Sequence, residues 1–401
     1  MYFDPLIHSI FDNDSYAITQ SNQAIDQYEF VVTEDQFLNR DGTPFPPKFS
    51  KALEEQIGYM SRLKATDDQI AYHKKDMWYI KTSYWGWFKN FRFDPSEVEV
   101  TQVDAALKIK ITGFVHRTVL WETPLMALVS ELYFKMTGKK PDLDYVRRAQ
   151  EKGATFKQKL AYFSEFGTRR RFSYEVQKNV LSALVDTAGP RSQGGVLNGT
   201  SNMQLAQDNN LTSMGTNAHR AYQLHAGLYG VRSANEKMLE SWEKQYGTAL
   251  GIALTDTFGT KDFLRVFNRH WSMLYDGVRH DSMRPIRSYA DMIVEHYKSS
   301  RIRIDPMSRV ILFSDGIKSY DEIDEVHDAC KNRIQSPFGI GTWLSNDCGH
   351  KPLSIVIKQF AVFDPYDGRR INTAKLSDNP TKASGDLGAI EHYKYELGID
   401  H

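Results

Sequence analysis

Cysteine is nearly absent: Cys330 and Cys348 are the only two in 401 residues, too few for a disulfide framework and not spaced as a zinc knuckle. A reducing, cytoplasmic setting fits that usage. Net charge is also missing, because 50 basic residues balance 50 acidic ones, and without a field of one sign neither nucleic acid nor an anionic membrane is expected as a partner. No run approaches the roughly 18 consecutive apolar residues of a membrane span. Met1-Tyr2-Phe3-Asp4-Pro5 carries an early acid and no basic stretch leading into an apolar one, so it does not read as a signal peptide. Low-complexity segments and solenoid-length repeats are lacking too. What remains, 41% hydrophobic and 12% aromatic residues, describes a folded chain of two or three domains, or one barrel with an added domain.

Asp12-Asn13-Asp14-Ser15 puts capping residues ahead of a helix with Tyr16 near its start. Helices are expected over 50–63 and 67–73 and a strand over 105–113, where Leu107, Ile109 and Ile111 alternate with Lys108 and Lys110. Tyr84 to Phe93 is an aromatic and basic cluster, better suited to a core or a subunit interface than to stacking bases. A buried helix is predicted over 121–138, opened by Glu122-Thr123-Pro124 and ended by glycine. A charged helix over 147–159 is expected to break near Gly153. Phe166-Gly167-Thr168-Arg169-Arg170-Arg171-Phe172-Ser173 then sets three arginines after a Gly-Thr turn at a helix entrance, a candidate anion clamp. The tail from Asp378 is polar and expected on the surface.

From Gly199 onward a theme recurs: a short apolar run, a polar or glycine cluster, then helix-like sequence. The clusters are 199–202, 215–219, 254–256, 278–282, 313–316 and 338–342, a spacing that suits successive β–α units with chemistry at the carboxyl ends of parallel strands. Gly215-Thr216-Asn217-Ala218-His219 stands out, because a turn with exposed amides and a hydroxyl delivers a histidine able to act as acid, base or nucleophile. His219, Asp256, Arg279, Asp281 and Asp315 converge if the barrel is right, the needs of sugar-phosphate chemistry. A protein-only metal site is not expected: His219 and His225 do not share a helical face, and there is no His-Glu-x-x-His run.

Taken in order, Phe166–Ser173, Gly199-Thr200-Ser201-Asn202, Met214-Gly215-Thr216, Ala218-His219, Leu254-Thr255-Asp256, Arg279-His280-Asp281-Ser282, Phe313-Ser314-Asp315 and Phe338-Gly339-Ile340-Gly341-Thr342 resemble nicotinate phosphoribosyltransferase of the bacterial type, over nearly the whole chain. The resemblance implies an α/β fold: an irregular (β/α) barrel of the type II phosphoribosyltransferase kind with an N-terminal α+β domain. The expected division is 1–125, 126–345 for the barrel, and 346–401 for strands and a tail packing back. It implies a cytoplasmic homodimer with shared active sites that joins nicotinate to phosphoribosyl pyrophosphate in NAD salvage, with ATP and Mg2+. ATP hydrolysis would be coupled through a phosphohistidine at His219. Tyr16, Thr216, Arg279 and Arg169 would contact nicotinate, with Tyr16 stacked on the ring. Thr342, Gly341 and Gly316 would hold phosphate, and Asp281 and Asp315 would serve the ribose or a substrate-borne magnesium.

Against the family pattern, Met283-Arg284 replaces a glycine and an acid, Arg220 a glutamate, Lys318 an acid and Ala17 a lysine. Arg220, Arg284 and Lys318 thus bring bases where acids are usual. The alternative reading is a catalytically weakened homologue that binds a pyridine or nucleotide ligand.

Overall fold

The computed structural model describes residues 3–399; Met1 and Tyr2, on which part of the N-terminal reading rests, and residues 400 and 401 lie outside it. Its strands are β1 (Val32–Asn39), β2 (Val98–Val103), β3 (Ala106–Phe114), β4 (Phe163–Glu165), β5 (Leu197–Thr200), β6 (Ile252–Leu254), β7 (Gly277–His280), β8 (Val310–Phe313), β9 (Phe338–Ile340), β10 (Ile355–Phe363), β11 (Arg370–Asn372), β12 (Ala374–Lys375) and β13 (Ser384–Gly385). Hydrogen bonding orders them as an antiparallel sheet β11-β10-β1-β3-β2, a pair β12-β13, and a sheet β5-β4-β9-β8-β7-β6. The last carries the β–α units that the repeating clusters predicted. Among the described residues no helix is long and apolar enough to cross a membrane.

The chain packs as two units. One takes the N-terminal segment to Glu29, Glu34–Gly215 and Ile340–Ile357; the other takes Phe30–Thr33, Thr216–Gly339 and the segment from Lys358. In the first, β2 pairs with β3 from Val98↔Ile111 to Val103↔Ala106, and helix Val115–Met136 is buried along most of its length. That helix begins ahead of the predicted start and carries Pro124 inside it. Proline has no N–H for the carbonyl four residues back, and the Asn13 amide supplies the missing donor, reaching Leu120 O at 2.9 Å. Helix Tyr145–Lys159 runs unbroken through Gly153, contrary to the predicted interruption. Glycine is there for packing: a Cβ at Gly153 would come within 2.0 Å of Thr187 Oγ1 on helix Tyr174–Ala188. The aromatic cluster is core, with Tyr84, Trp85, Phe88, Phe91 and Phe93 all buried.

In the second unit, β6, β7, β8 and β9 are parallel in sequence order, with Ile252↔Gly277, Val278↔Ile311 and Phe313↔Phe338 in register. Helix Ile286–Lys298 buries Ile286, Tyr289, Ala290, Ile293, Val294 and Tyr297, a 3.6-residue period that gives it one apolar face. The clusters 254–256, 278–282 and 313–316 fall at the carboxyl ends of β6, β7 and β8. Gly215–His219 instead follows an isolated bridge at Ser213 and leads into helix His219–Tyr229.

The tail is not merely a solvated surface. The Asp378 carboxylate accepts from the Thr260 amide at 2.7 Å and from its hydroxyl at 2.6 Å. Lys375 and Ser384 are in register in the β12–β13 pair, and helix Leu387–Leu397 closes the chain. These polar residues serve as caps and ladder partners, uses that polarity alone does not separate from solvation.

Candidate active site

His219 is the first residue of its helix, and the loop before it is pinned from below. Asn217 Oδ1 accepts the Leu254 amide of β6 at 3.0 Å, and the Thr216 hydroxyl donates to Asn217 O at 2.9 Å. The imidazole that this delivers is buried. Its Nδ1 lies 3.0 Å from Thr257 Oγ1. Its Nε2 lies 2.9 Å from Asp281 Oδ2 and 2.8 Å from Lys375 Nζ, with Asp256 Oδ1 at 3.7 Å. Lys375, on β12, is itself buried and pairs with Asp256 Oδ2 at 3.1 Å. Asp256 accepts further from Ser282 at 2.5 Å and from Ser377 at 3.2 Å.

Burial, and then the Lys375 charge, push the His219 imidazole down to about 4, against the opposing pull of Asp256 and Asp281. The ring is therefore neutral near pH 7. Burial alone would raise Asp281, but Arg279, the adjoining His219 and Lys375 hold it well below the usual carboxylate range. Burial opposes ionisation of Asp256 as well, and the charge of Lys375, joined in acid by that of protonated His219, overcomes it, so its carboxyl also sits low. The ligand atoms of His219, Asp256 and Asp281 lie within 4.8 Å of one another, close enough for an ion. The Lys375 ammonium already lies among them, at 2.8, 3.1 and 3.8 Å. That cluster has its cation in a side chain, and a resident metal would have to displace it.

Arg279, on β7, ties this cluster to the Thr216 turn. Its Nη1 donates to Thr216 Oγ1 at 3.0 Å, its Nη2 to Asp281 Oδ1 at 3.1 Å and its Nε to Ser314 Oγ at 2.7 Å. A guanidinium has five N–H donors, so these three hydrogen bonds leave one hydrogen on each terminal nitrogen. Asp315, expected to converge on the same point, is held by Lys382 at 2.5 Å. The same ammonium donates to Asp281 O at 3.1 Å. Gly316, at φ +72°, is roofed by Arg284, whose Nη2 would lie 2.2 Å from a Cβ there. Arg284 also donates to Asp315 O at 3.2 Å and faces Glu325 at 3.6 Å. Arg220 is buried and donates to Thr33 Oγ1 at 2.9 Å, while Lys318 is exposed. The carboxylate beside His219 is thus Asp281, just past the end of β7, and not a residue at position 220.

The remaining predicted residues belong to the first unit. Tyr16 is buried, with its hydroxyl 3.4 Å from Thr123 Oγ1 and the Arg169 guanidinium 5.8 Å over its ring. Arg169 faces Glu122 at 3.4 Å and Asp14 at 3.7 Å. Arg171 is wholly buried and bridges both Asp12 oxygens at 2.7 Å, which makes it the structural member of the arginine run. Gly341 lies against the Phe166 carbonyl, and Thr342 opens the short helix Thr342–Ser345. The Ser345 hydroxyl donates to Gly167 O at 2.9 Å and the Asn346 amide to Arg170 O at 2.7 Å, so the two glycine turns brace each other.

Residues 161–399 match the nicotinate phosphoribosyltransferase (NAPRTase) family, and residues 11–130 match the NAPRTase N-terminal domain. The chain belongs to the nicotinate phosphoribosyltransferase family. A nicotinate phosphoribosyltransferase of Desulforapulum autotrophicum is 38% identical over 389 residues, covering 96% of this chain and 98% of its own. One from Chromohalobacter salexigens is 35% identical over 397 residues, covering 98% and 99%. The crystal structure of nicotinate phosphoribosyltransferase from Porphyromonas gingivalis matches with a TM-score of 0.93 at 34% identity, over 98% of this chain and 100% of that one. The fold is accordingly α/β, the irregular (β/α) barrel with its N-terminal α+β part that the resemblance implied. Lys375 and Lys382 had no place in the sequence reading of this family member. The only signal at Lys375 is a lysine inside the strand-like run Ile371 to Leu376.

Proposed function

We propose that this chain is a nicotinate phosphoribosyltransferase. It joins nicotinate to phosphoribosyl pyrophosphate, giving nicotinate mononucleotide and pyrophosphate in the salvage route to NAD, with ATP hydrolysis coupled through a phosphohistidine at His219. Family membership over the full chain supports the transfer reaction. One observation supports the coupling: Arg279 bonds both Thr216 and Asp281, and the Asp281 carboxylate lies 2.9 Å from Nε2 of a neutral His219.

Each group has work that its chemistry suits. Arg279, with two hydrogens to spare, and Thr216 take the nicotinate carboxylate; Tyr16 stacks on the ring and Arg169 adds positive charge. The ring nitrogen attacks ribose C1 as the C1–O bond to pyrophosphate breaks and the diphosphate leaves with the electron pair. Positive character gathers on the sugar, and a fixed carboxylate such as ionised Asp281 opposes it at no reorganisation cost. Asp315 serves the ribose, and Gly341, Thr342 and Gly316 offer backbone and hydroxyl donors to phosphate. Magnesium suits this site as a companion of the substrate diphosphate, where it screens the leaving charge; the carboxylates at His219 already answer to Lys375. The working form we propose is a cytoplasmic homodimer with shared active sites.

One observation favours a second reading, a homologue with weakened transfer: Arg284 roofs the Gly316 turn. The test is product formation by purified protein given phosphoribosyl pyrophosphate and magnesium, with nicotinate or nicotinamide, with and without ATP. ATP-stimulated nicotinate mononucleotide, lost in His219→Ala, is the expected result. Product that ignores ATP removes the coupling, and no product from either ring removes the enzyme reading in favour of a ligand-binding role.

A further inference from the structure

His219 Nε2 has two neighbours with incompatible demands. The Asp281 carboxylate at 2.9 Å can only accept, so it asks for an N–H; the Lys375 ammonium at 2.8 Å can only donate, so it asks for a lone pair. A ring nitrogen offers one in-plane position and satisfies one of them. On the other side Nδ1 meets Thr257 Oγ1 at 3.0 Å, a hydroxyl that accepts or donates as required. The groups facing the ring are therefore Lys375 from β12, Asp256 and Thr257 after β6, and Asp281 after β7, with Arg279 and Lys382 behind Asp281. Asp281 has other donors, Arg279 and Ser314 at 3.1 and 3.0 Å. Lys375 has, besides Nε2 at 2.8 Å, only Asp256 at 3.1 Å and the more distant Asp281 at 3.8 Å among the described residues, so it prevails over Asp281 at Nε2.

We infer that Lys375 is a positioning residue that fixes the tautomer of His219, placing the proton on Nδ1 toward Thr257 and the lone pair on Nε2, where a phosphoryl group is accepted. The inference rests on the phosphohistidine reading for its purpose but not for its geometry. In the step it prepares, the Nε2 lone pair attacks the γ-phosphorus of ATP. An N–P bond forms, the bond from that phosphorus to the bridging oxygen breaks, and ADP leaves with the electron pair. No proton is needed; the ring keeps its Nδ1–H and becomes cationic, and the ammonium released from Nε2 is free to pair with a phosphoryl oxygen. This also supplies a reason for a buried lysine, a costly group to desolvate without such a partner set.

The test is nitrogen-15 NMR of histidine-labelled protein across the acid-to-neutral range, on the native chain and Lys375→Met, together with incorporation of label from γ-labelled ATP. Native His219 should show a protonated Nδ1 and a bare Nε2. In Lys375→Met the proton should move to Nε2, facing Asp281. The midpoint should rise from about 4 toward the ordinary histidine value of 6.5, and labelling should slow by about tenfold or more, as for loss of a charge-assisted hydrogen bond. Lys375→Arg, which keeps a donor, should retain the native tautomer. An unchanged tautomer and midpoint in Lys375→Met overturns the inference. Should that variant not fold, Lys375→Leu, which also removes the donor, decides by the same nitrogen-15 signals, and a proton that stays on Nδ1 overturns the inference equally. Native protein that takes up no label, yet shows the tautomer change in Lys375→Met, overturns the phosphohistidine reading and leaves the positioning role in place.

Discussion

Replacing Arg279 by lysine keeps a positive charge and removes a fork. In the native site three guanidinium hydrogens go to Thr216, Asp281 and Ser314, at 3.0, 3.1 and 2.7 Å, and the two left over sit on different terminal nitrogens, the arrangement that matches a carboxylate. An ammonium cannot hold three internal partners and bind a carboxylate through two hydrogens as well. A hydrogen bond to a charged group contributes about 1.5–3 kcal/mol, so losing one of two to nicotinate should cost about 2 kcal/mol, or roughly 30-fold in kcat/KM.

Breaking the bonds from Arg279 to Thr216, Asp281 and Ser314 would itself lower activity whatever ring is bound, so absolute rates do not isolate the carboxylate. The ratio does. Nicotinate KM should be compared with the inhibition constant of nicotinamide, which has the same ring and no charge. In Arg279→Lys the nicotinate value should rise about 30-fold and the nicotinamide value no more than about fivefold, as for a neutral hydrogen bond. Equal losses for both rings would refute the assignment and leave Arg279 as a brace for Asp281 alone.

Arg284→Ala should lower KM for phosphoribosyl pyrophosphate several-fold, because the guanidinium roofs the Gly316 turn; a higher KM in initial-rate assays would instead make Arg284 a phosphate ligand. Burial lowers the His73 imidazole to about 3, and neither ring nitrogen has a hydrogen-bond partner among the described residues. The unfolded chain then takes up a proton below the ordinary 6.5 that the folded chain refuses until about 3, so this stability is present above pH 6.5 and lost on acidification, about 2 kcal/mol by pH 5. His73→Phe should narrow the gap between urea midpoints at pH 7 and pH 5, and an unchanged gap would count against the prediction. Asn13→Ala, which strips the Leu120 carbonyl of its donor, should cost about 1–2 kcal/mol. Adding Pro124→Ala restores a backbone N–H there and should recover most of the loss; simple additivity in the double-mutant cycle would show the two residues to be independent.

The β–α units were legible in the sequence because each ends on turn chemistry that is local. Leu254-Thr255-Asp256, Arg279-His280-Asp281-Ser282 and Phe313-Ser314-Asp315-Gly316 all fall at strand ends, where short polar residues and glycine are needed for backbone reasons first and for chemistry second. Errors arose where a local rule met a distant partner. Gly153 reads as a helix breaker until Thr187 is seen against it, and Pro124 reads as a helix start until Asn13 is seen feeding Leu120.

Lys375 is the strongest case. Within its own segment it is only a lysine in a strand-like run. Its function depends on β12 pairing with β13 in a register that sets Lys375 opposite Ser384, and on three groups that lie more than 90 residues earlier, at His219, Asp256 and Asp281. A one-residue slip of that pairing would turn the ammonium to the other face, leaving Asp256 and Asp281 without a buried cation and His219 Nε2 to the carboxylate. The two-residue strand therefore matters to the chemistry through its register, which neither residue composition nor hydrophobic period encodes. A lysine inside a short strand, in a protein that already has a buried His and two strand-end carboxylates, is the pattern that would have found it.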